Sequence, residues 1–154
     1  MSYTLDAVIG IEQVVQFAGR TREHACVVKL SYGVALIPLT DRLLAELEQR
    51  FGFAPDAAFK GIPGSVPAVA RWIREASRSE FLAFISADFF GGEGSQWAVG
   101  MEGGEVVLGP LESPDAINLI LRRLGVRAAS GCDEFDTVGL GRHRQTARWA
   151  GDEA

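Results

Sequence analysis

The clearest strand pattern of the sequence lies in Phe81–Gly109, FLAFISADFFGGEGSQWAVGMEGGEVVLG. Residues 81–90 are apolar on both alternating faces, which is typical of a central strand covered on each side. The glycine-rich segment 91–94 interrupts this run and residues 95–101 resume it. Gly103-Gly104 then supplies a two-residue turn before a third short strand. The segment therefore predicts a three-stranded antiparallel meander over residues 81–109.

A symmetric placement of residues about each turn predicts the register of this meander. The expected cross-strand pairs are Asp88 with Trp97, Ser86 with Val99, and Met101 with Val106. Side chains two positions apart in a strand lie on the same face of a sheet. One face is therefore expected to carry Trp97, Val99 and Met101.

The first forty residues show strand-like and helix-like apolar spacing in turn. Residues 4–9 alternate in part like a strand, and the apolar positions that follow fall at helical spacing up to Gly19. Residues 25–30 and 34–37 flank Ser31-Tyr32-Gly33, where glycine can supply a positive φ. We therefore expect a strand, a short helix and an antiparallel hairpin, in this order.

Longer apolar stripes at helical spacing predict helices near residues 41–51, 66–78 and 114–124. Thr40 is a good N-cap for the first of them. Ser113-Pro114-Asp115 gives the third an N-cap, a proline at the first helical position and an acid in the first turn. We expect a single α+β domain over residues 1–154, with three to four helices packed on an antiparallel sheet made of the N-terminal hairpin and the 81–109 meander.

Composition and charge limit the classes of function. The chain has 154 residues, of which 47% are hydrophobic and 23% charged, with a mean hydropathy of +0.11, as in an ordinary globular domain. Its 15 basic and 20 acidic side chains give a net charge of -5, which opposes binding to nucleic acid and to anionic membranes. The first residues lack a positively charged start, and no apolar run approaches the ~18 residues of a membrane span. We expect a cytoplasmic location.

Asp88 is the most informative polar residue of the meander, because it lies in an apolar strand beside aromatic residues. A buried carboxylate needs a partner, either an arginine or backbone amides, unless it serves as an acid or base in proton transfer. Strand geometry is expected to bring Asp88, Glu93 and Gln96 close to one loop, where they could bind something polar. The glycines of residues 91–94 could cradle an anion, but phosphate loops precede a helix, so a plain hairpin loop is favoured.

Metal and nucleophile chemistry finds little support in the sequence. The candidate side chains are His24, Cys26, Cys132 and His143. Their spacing differs from the short paired spacing of structural zinc sites, and we predict neither a metal nor a cofactor. A Cys132–His143 pair stays open, because proximity in space cannot be read from sequence. The motifs of serine hydrolases and zinc proteases do not occur, and Asp88 is the one alternative catalytic candidate.

A polar segment from about residue 130 to residue 154 carries acids first and bases later. Its charged and aromatic candidates for contacting a partner are Asp133, Glu134, Asp136, Arg142, His143, Arg144 and Trp149. A solvated surface with local ion pairs explains this pattern. The alternative is a docking surface, because aromatic and arginine side chains are enriched where binding energy concentrates.

Three strings in the second half of the chain resemble a group of small uncharacterised bacterial proteins. The strings are FFGGEGSQWA at 89–98, LGV at 124–126 and DEFDTVGLGRHR at 133–144. The resemblance covers residues 80–149 and implies no established activity and no catalytic residue. Small acidic proteins of this kind are similar to the immunity partners of bacterial polymorphic toxins.

The function that the sequence favours is a non-enzymatic protein-binding module, an immunity-type inhibitor that neutralises a bacterial toxin. A basic toxin domain is the expected partner, because complementary charge accelerates encounter. The alternative is a small enzyme or ligand-binding domain with its site at the Gly91–Gln96 loop and Asp88. A homodimer formed through an exposed sheet edge is a third possibility.

Overall fold

The computed structural model describes residues 2–151 and contains one six-stranded antiparallel sheet with helices on both faces. The strands are β1 (Ser2–Ile11), β2 (Val28–Lys29), β3 (Val34–Pro38), β4 (Leu82–Phe90), β5 (Glu93–Glu102) and β6 (Glu105–Glu112). The helices are α1 (Glu12–Gly19), α2 (Asp41–Phe51), α3 (Pro67–Ala76), α4 (Ala116–Arg123), α5 (Glu134–Val138) and α6 (Thr146–Trp149). Single 3₁₀ turns cover Ala57–Phe59 and Leu140–Arg142. The predicted α+β class and the antiparallel sheet are confirmed.

The strands lie in the order β2-β3-β1-β4-β5-β6, so β1 and β4 form the centre of the sheet. β1 pairs with β3 on one side and with β4 on the other, both antiparallel. Its residues Leu5 and Ala7–Gly10 are buried, as expected for a strand with neighbours on both sides and helices on both faces. The predicted hairpin is shorter than expected, because only Val28–Lys29 of residues 25–30 pair with β3.

Two hydrophobic cores lie on opposite faces of the sheet. On the first face, α1, α2 and α3 cover Val8, Leu82, Phe84, Val99 and Met101. On the second face, α4 and the C-terminal segment cover Leu5, Ile9, Ile85, Ala98 and Leu36. Complete burial of a valine, leucine, isoleucine, phenylalanine or methionine side chain stabilises the folded state by roughly 1.5–3 kcal/mol. In residues 2–151 no helix has the length and apolar character to cross a membrane.

The hairpin between β4 and β5 is tighter than the sequence suggested. Gly91 and Gly92 alone form the turn, with φ of 62° and 85°, and Phe90 pairs with Glu93. The expected register is therefore wrong by two positions: the observed pairs are Asp88 with Ser95 and Ser86 with Trp97. Met101 pairs with Val106 as predicted. A two-position shift keeps every side chain on its face, so Trp97, Val99 and Met101 do share the first face.

The segment after residue 130 is part of the fold rather than a solvated polar surface. Val138, Leu140 and Trp149 are buried in the second core. The backbone N–H of Thr4 donates to the Arg144 carbonyl at 2.9 Å, and Thr4 and Gln145 form a parallel bridge. β3 pairs only with residues 7–11 of β1. Residues 144–146 therefore lie beside the first half of β1, on the side that β3 leaves unpaired.

Candidate functional site

One half of the first face, next to the Gly91-Gly92 turn, is open to solvent. Directly paired residues in a sheet point to the same side. Pairing therefore aligns three rows on this face, which are Asp6–Ser86–Trp97–Glu112, Thr4–Asp88–Ser95 and Ser2–Phe90–Glu93. We call this surface the acidic sheet face; its defining residues are Asp6, Asp88, Glu93, Glu112, Phe90 and Trp97.

The acidic sheet face exists because three neighbouring strands change from apolar to polar at the same level. In β1 the change falls between Val8 and Asp6, and in β4 between Phe84 and Ser86. In β5 the half-buried Trp97 precedes the buried Val99. The helices cover the apolar half, and the polar half stays in contact with water.

Asp6 is the most perturbed acid of this face. Its Oδ1 accepts a hydrogen bond from the Ser86 hydroxyl at 2.6 Å. Burial raises the pKa of Asp6, the Ser86 hydrogen bond opposes that change, and the nearby charge of Asp88 raises the pKa further. Asp6 and Asp88 are therefore close enough to repel each other.

The structure corrects the expectation that Asp88 is a buried carboxylate. Asp88 is exposed, because the helices of the first face end before this level of β4. It pairs with Thr4 on β1 and Ser95 on β5, both polar. Glu93 is exposed on the same face, beside the turn. Asp88 and Glu93 are thus brought together as the sequence suggested, but at the surface.

Gln96 does not belong to this group. It is 8% exposed and lies on the second face, where its Oε1 accepts a hydrogen bond from the Ile117 N–H at 2.9 Å. The first N–H groups of a helix lack intrahelical acceptors, and Gln96 supplies one for α4. The expected grouping of Gln96 with Asp88 is therefore wrong, and its contact is structural.

Two of the three acids of the C-terminal segment, Asp133 and Glu134, join α5 to α4. Asp133 caps α5 by accepting from the Asp136 N–H at 2.9 Å and from the Asn118 amide at 3.1 Å. Burial opposes ionisation of Asp133, but these hydrogen bonds outweigh it and lower its pKa. The guanidinium of Arg122 donates to Glu134 at 3.1 Å and lowers the pKa of Glu134.

Asp136 differs from the two acids before it. Burial and the neighbouring Asp133 carboxylate raise the pKa of Asp136. Asp136 is nevertheless exposed, whereas Glu134 is buried. The hydrogen bonds of Asp133 and Glu134 are internal, so these two acids serve the fold directly.

Three basic residues of the same segment, His143, Arg144 and Arg148, line a cavity of about 390 Å³. We call it the basic pocket; its lining residues are Ser2, His143, Arg144, Gln145 and Arg148. The His143 ring meets the edge of the buried Trp149 ring, with 4.8 Å between centroids, and the Arg142 guanidinium lies 5.8 Å from the Trp149 ring. The structure therefore brings Arg142, His143, Arg144 and Trp149 together.

Sequence reasoning missed several members of both surfaces. Asp6, Glu112, Ser2 and Arg148 were not among the candidates, because none lies in a recognisable motif. The alternation of Thr4, Asp6 and Val8 along β1 carries a usable signal, since it places Asp6 on a polar half-face.

Neither surface resembles a metal centre. Within residues 2–151 no cluster of three or more histidine, cysteine, aspartate or glutamate side chains could hold a metal ion. Cys26 is half-buried, Cys132 is exposed, and both are free thiols.

The sheet order, the two cores and the two polar surfaces define an α+β protein with an open sheet face. No protein-family model matches the chain, and no curated protein or solved structure matches it. The function is therefore derived from the acidic sheet face.

Proposed function

We propose that this chain is a non-enzymatic protein-binding module of the cytoplasm, an immunity-type inhibitor that covers a basic toxin domain with its acidic sheet face. The observation that carries the proposal is the clustering of four carboxylates with Phe90 and Trp97 on one open half-face. Phe90 is 75% exposed, which is unusual for an aromatic side chain without a partner. Aromatic anchors supply binding energy, and the acids orient a basic partner.

The position of this face suits recognition without large rearrangement. Apart from Glu112 on the edge strand β6, its defining side chains project from β1, β4 and β5, which are inner strands of the sheet. Neighbouring strands lie about 4.8 Å apart, so the carboxylates are held at fixed spacing. Groups that are already ordered lose little conformational entropy when a partner binds.

A toxin that acts on nucleic acid is the partner whose chemistry fits best. Such an enzyme binds a phosphate backbone with lysine and arginine side chains. An array of carboxylates on an open sheet face competes for the same basic side chains. The inhibitor would thereby block the toxin's substrate site by occupying it.

The test uses the protein encoded by the reading frame adjacent to this one. The adjacent protein alone should inhibit growth of the host cells, and co-expression of this chain should restore that growth. The two purified proteins should also form a complex. Asp88→Arg should weaken the complex by about tenfold or more, mainly by slowing association, because it reverses a charge at the centre of the face. Asp88 is exposed, so the variant should keep the thermal unfolding midpoint of the original chain.

Glu23→Arg is the matched control, because Glu23 is also an exposed acid and lies on the loop after α1, away from the face. It changes net charge by the same amount and should leave the complex intact. Equal weakening by both variants, or a chain that gives no protection against the adjacent gene product, would contradict the proposal.

A second candidate, a small enzyme or ligand-binding domain centred on Asp88 and the Gly91–Gln96 segment, is favoured by one observation. Asp6 and Asp88 form a carboxylate pair in which the pKa of Asp6 is raised by burial and by Asp88, an arrangement that suits acid–base chemistry. A metabolite screen by thermal unfolding would then show a ligand-dependent midpoint that Asp88→Asn removes. The binding module predicts no such midpoint and a complex that survives Asp88→Asn.

A further inference from the structure

A cavity of about 450 Å³ lies between α1 and the C-terminal end of α3. Val14, Phe17 and Ala76 form its apolar wall, and Arg78 and Glu80 line it with charges of opposite sign. We call this space the α1–α3 cavity. Its volume lies within the range of about 300–1,000 Å³ that is usual for ligand pockets. An apolar wall beside a few charged groups is the usual composition of such pockets.

Phe17 is the exposed part of the apolar wall. It is 61% exposed, whereas Val15 and Ala18 of the same helix are buried in the first core. Among residues 2–151 its ring takes part in no aromatic pair and no cation–π contact. A ligand ring in the cavity can pack against Phe17 edge-on or offset, as aromatic pairs prefer.

The two charged residues of the cavity are exposed and available to a ligand. Within the described part of the chain, neither Arg78 nor Glu80 forms an ion pair. Glu75, another acid of the cavity, differs because its carboxylate lies 4.0 Å from the Arg50 guanidinium. Arg78 can therefore donate to a carboxylate, and Glu80 can accept from an ammonium group.

The short segment that carries these two charges is fixed at both ends. Ser77 precedes it and is fully buried, and Phe81 follows it and is 5% exposed. The Ser77 N–H donates to the Ile73 carbonyl at 2.8 Å, and the Ser77 carbonyl accepts from the Gly103 N–H at 2.7 Å. Residues 78–80 therefore bridge two anchored positions, which lowers the conformational entropy that a ligand would cost this segment.

We propose that the α1–α3 cavity binds a free α-amino acid with an aromatic side chain. Arg78 pairs with the carboxylate of the ligand, Glu80 pairs with its ammonium group, and Phe17 packs against its ring. An α-amino acid carries these three groups around one carbon atom, and its opposite charges match those of Arg78 and Glu80. The site does not depend on the proposed inhibitor function, because residues 78–80 precede β4 whereas the Gly91-Gly92 turn follows it.

The test compares L-phenylalanine with three analogues that each lack one of the recognised groups. Hydrocinnamate lacks the ammonium group, phenethylamine lacks the carboxylate, and L-alanine lacks the ring. Calorimetry and the thermal unfolding midpoint of the full chain report binding. We expect saturable binding of L-phenylalanine, with each analogue at least about tenfold weaker. An analogue that binds as tightly as L-phenylalanine would overturn the proposal, because the group that it lacks would then contribute nothing.

Two variants separate the two charged contacts. Arg78→Gln should weaken L-phenylalanine binding by about tenfold or more and leave the binding of phenethylamine unchanged, because phenethylamine has no carboxylate. Glu80→Gln should weaken L-phenylalanine binding to a similar extent and leave the binding of hydrocinnamate unchanged. An equal loss for all ligands with either variant would contradict the assigned contacts.

Phe17→Ala tests the apolar wall, and Phe53→Ala is its control, because Phe53 is 72% exposed and lies outside the cavity. Phe17→Ala should weaken L-phenylalanine binding by about tenfold or more, while Phe53→Ala should leave it unchanged. Arg127→Gln, which removes an exposed arginine elsewhere, and Asp88→Asn on the acidic sheet face should also leave it unchanged. All of these positions are exposed, so the unfolding midpoints without ligand should agree. Equal binding by the two phenylalanine variants, or no saturable binding of L-phenylalanine, would refute the proposal.

Discussion

Asp6 shows how a single residue of the acidic sheet face opposes stability. Its ionised form is disfavoured by burial and by Asp88, and this raises its pKa above that of an unfolded chain. A carboxyl group with a raised pKa contributes full stability below its unfolded pKa and loses that contribution as the pH rises through its folded pKa. At neutral pH the charge of Asp6 therefore destabilises the fold, which is consistent with a role in binding.

Asp6→Asn should raise the free energy of unfolding at neutral pH by about 0.2–1 kcal/mol, the range for one cross-strand pair. The asparagine oxygen can still accept the Ser86 hydrogen bond, while the repulsion from Asp88 is removed. The gain in the free energy of unfolding should vanish at a pH below the ordinary pKa range of carboxyl groups, because Asp6 is then protonated in both the folded and the unfolded chain. Urea unfolding at neutral and at acid pH measures both values.

Glu23→Gln serves as the control for Asp6→Asn, because Glu23 is exposed and outside the acidic sheet face. It should leave stability unchanged at both pH values. An Asp6→Asn variant that gains nothing at neutral pH, or gains equally in acid, would refute this account of Asp6.

At the scale of elements, the hairpin of β4 and β5 depends on one glycine inside a strand. A Cβ on Gly94 would collide with the carbonyl oxygen of Asp88 and the Cα of Phe89. Backbone atoms cannot move aside as a flexible side chain can, so Gly94 permits the close approach that the tight Gly91-Gly92 turn requires.

Gly94→Ala should lower the free energy of unfolding by about 1–3 kcal/mol, as overpacking does elsewhere. Gly141→Ala is the matched control, because a Cβ there meets no atom within 4 Å and its φ is not left-handed. Thermal and urea unfolding of both variants measure the difference. Similar stability for the two variants would show that the hairpin adjusts without strain.

The elements that sequence could predict are those set by local chemistry. Residues 41–51 form α2 as predicted, because the cap is local: the Thr40 hydroxyl accepts from the Leu43 N–H at 3.3 Å. At α4, Ser113 and Asp115 hydrogen-bond to each other, while Gln96 of β5 accepts from the Ile117 N–H. A cap supplied by a distant strand leaves no local pattern.

The candidate site was harder to predict than the fold for the same reason. Its rows join β1, β4, β5 and β6; the β4–β5 and β5–β6 pairings begin at two-residue turns, whereas no short turn sets the β1–β4 pairing and the β5–β6 register is irregular. The two-residue register error arose because Glu93 and Gly94 were counted as loop. The buried positions of the C-terminal segment lie in helical pieces too short for a periodic pattern to emerge.

The C-terminal segment completes the second core and is hydrogen-bonded to β1. Trp149 is 4% exposed and packs in the second core, and residues 144–146 are bonded to β1. Trp149→Ala should lower the free energy of unfolding by about 3–5 kcal/mol, as for other large buried side chains. Urea unfolding followed by circular dichroism avoids the change in tryptophan fluorescence.

Phe53→Ala is the control for Trp149→Ala, because Phe53 is 72% exposed. It should change stability by no more than about 0.5 kcal/mol. A Trp149→Ala variant as stable as Phe53→Ala would mean that the C-terminal segment is dispensable for folding.

The edges of the sheet are poorly suited to pairing with another copy of the chain. β2 is only two residues long, and β6 contains register irregularities and a proline, which lacks a backbone N–H. Short and irregular edge strands hinder edge-to-edge association. These features argue against the homodimer through a sheet edge that the sequence left open.

The central position of β1 also determines when this protein can fold during translation. β1 is made first, but its neighbour β4 and the backbone of residues 144–146 are made much later. A ten-residue strand with a buried stretch at residues 7–10 therefore leaves the ribosome long before two of its hydrogen-bonding neighbours exist, and β3 alone is made soon after it. Nascent chains in this condition expose aggregation-prone surface, which makes early capture by a chaperone an advantage during synthesis.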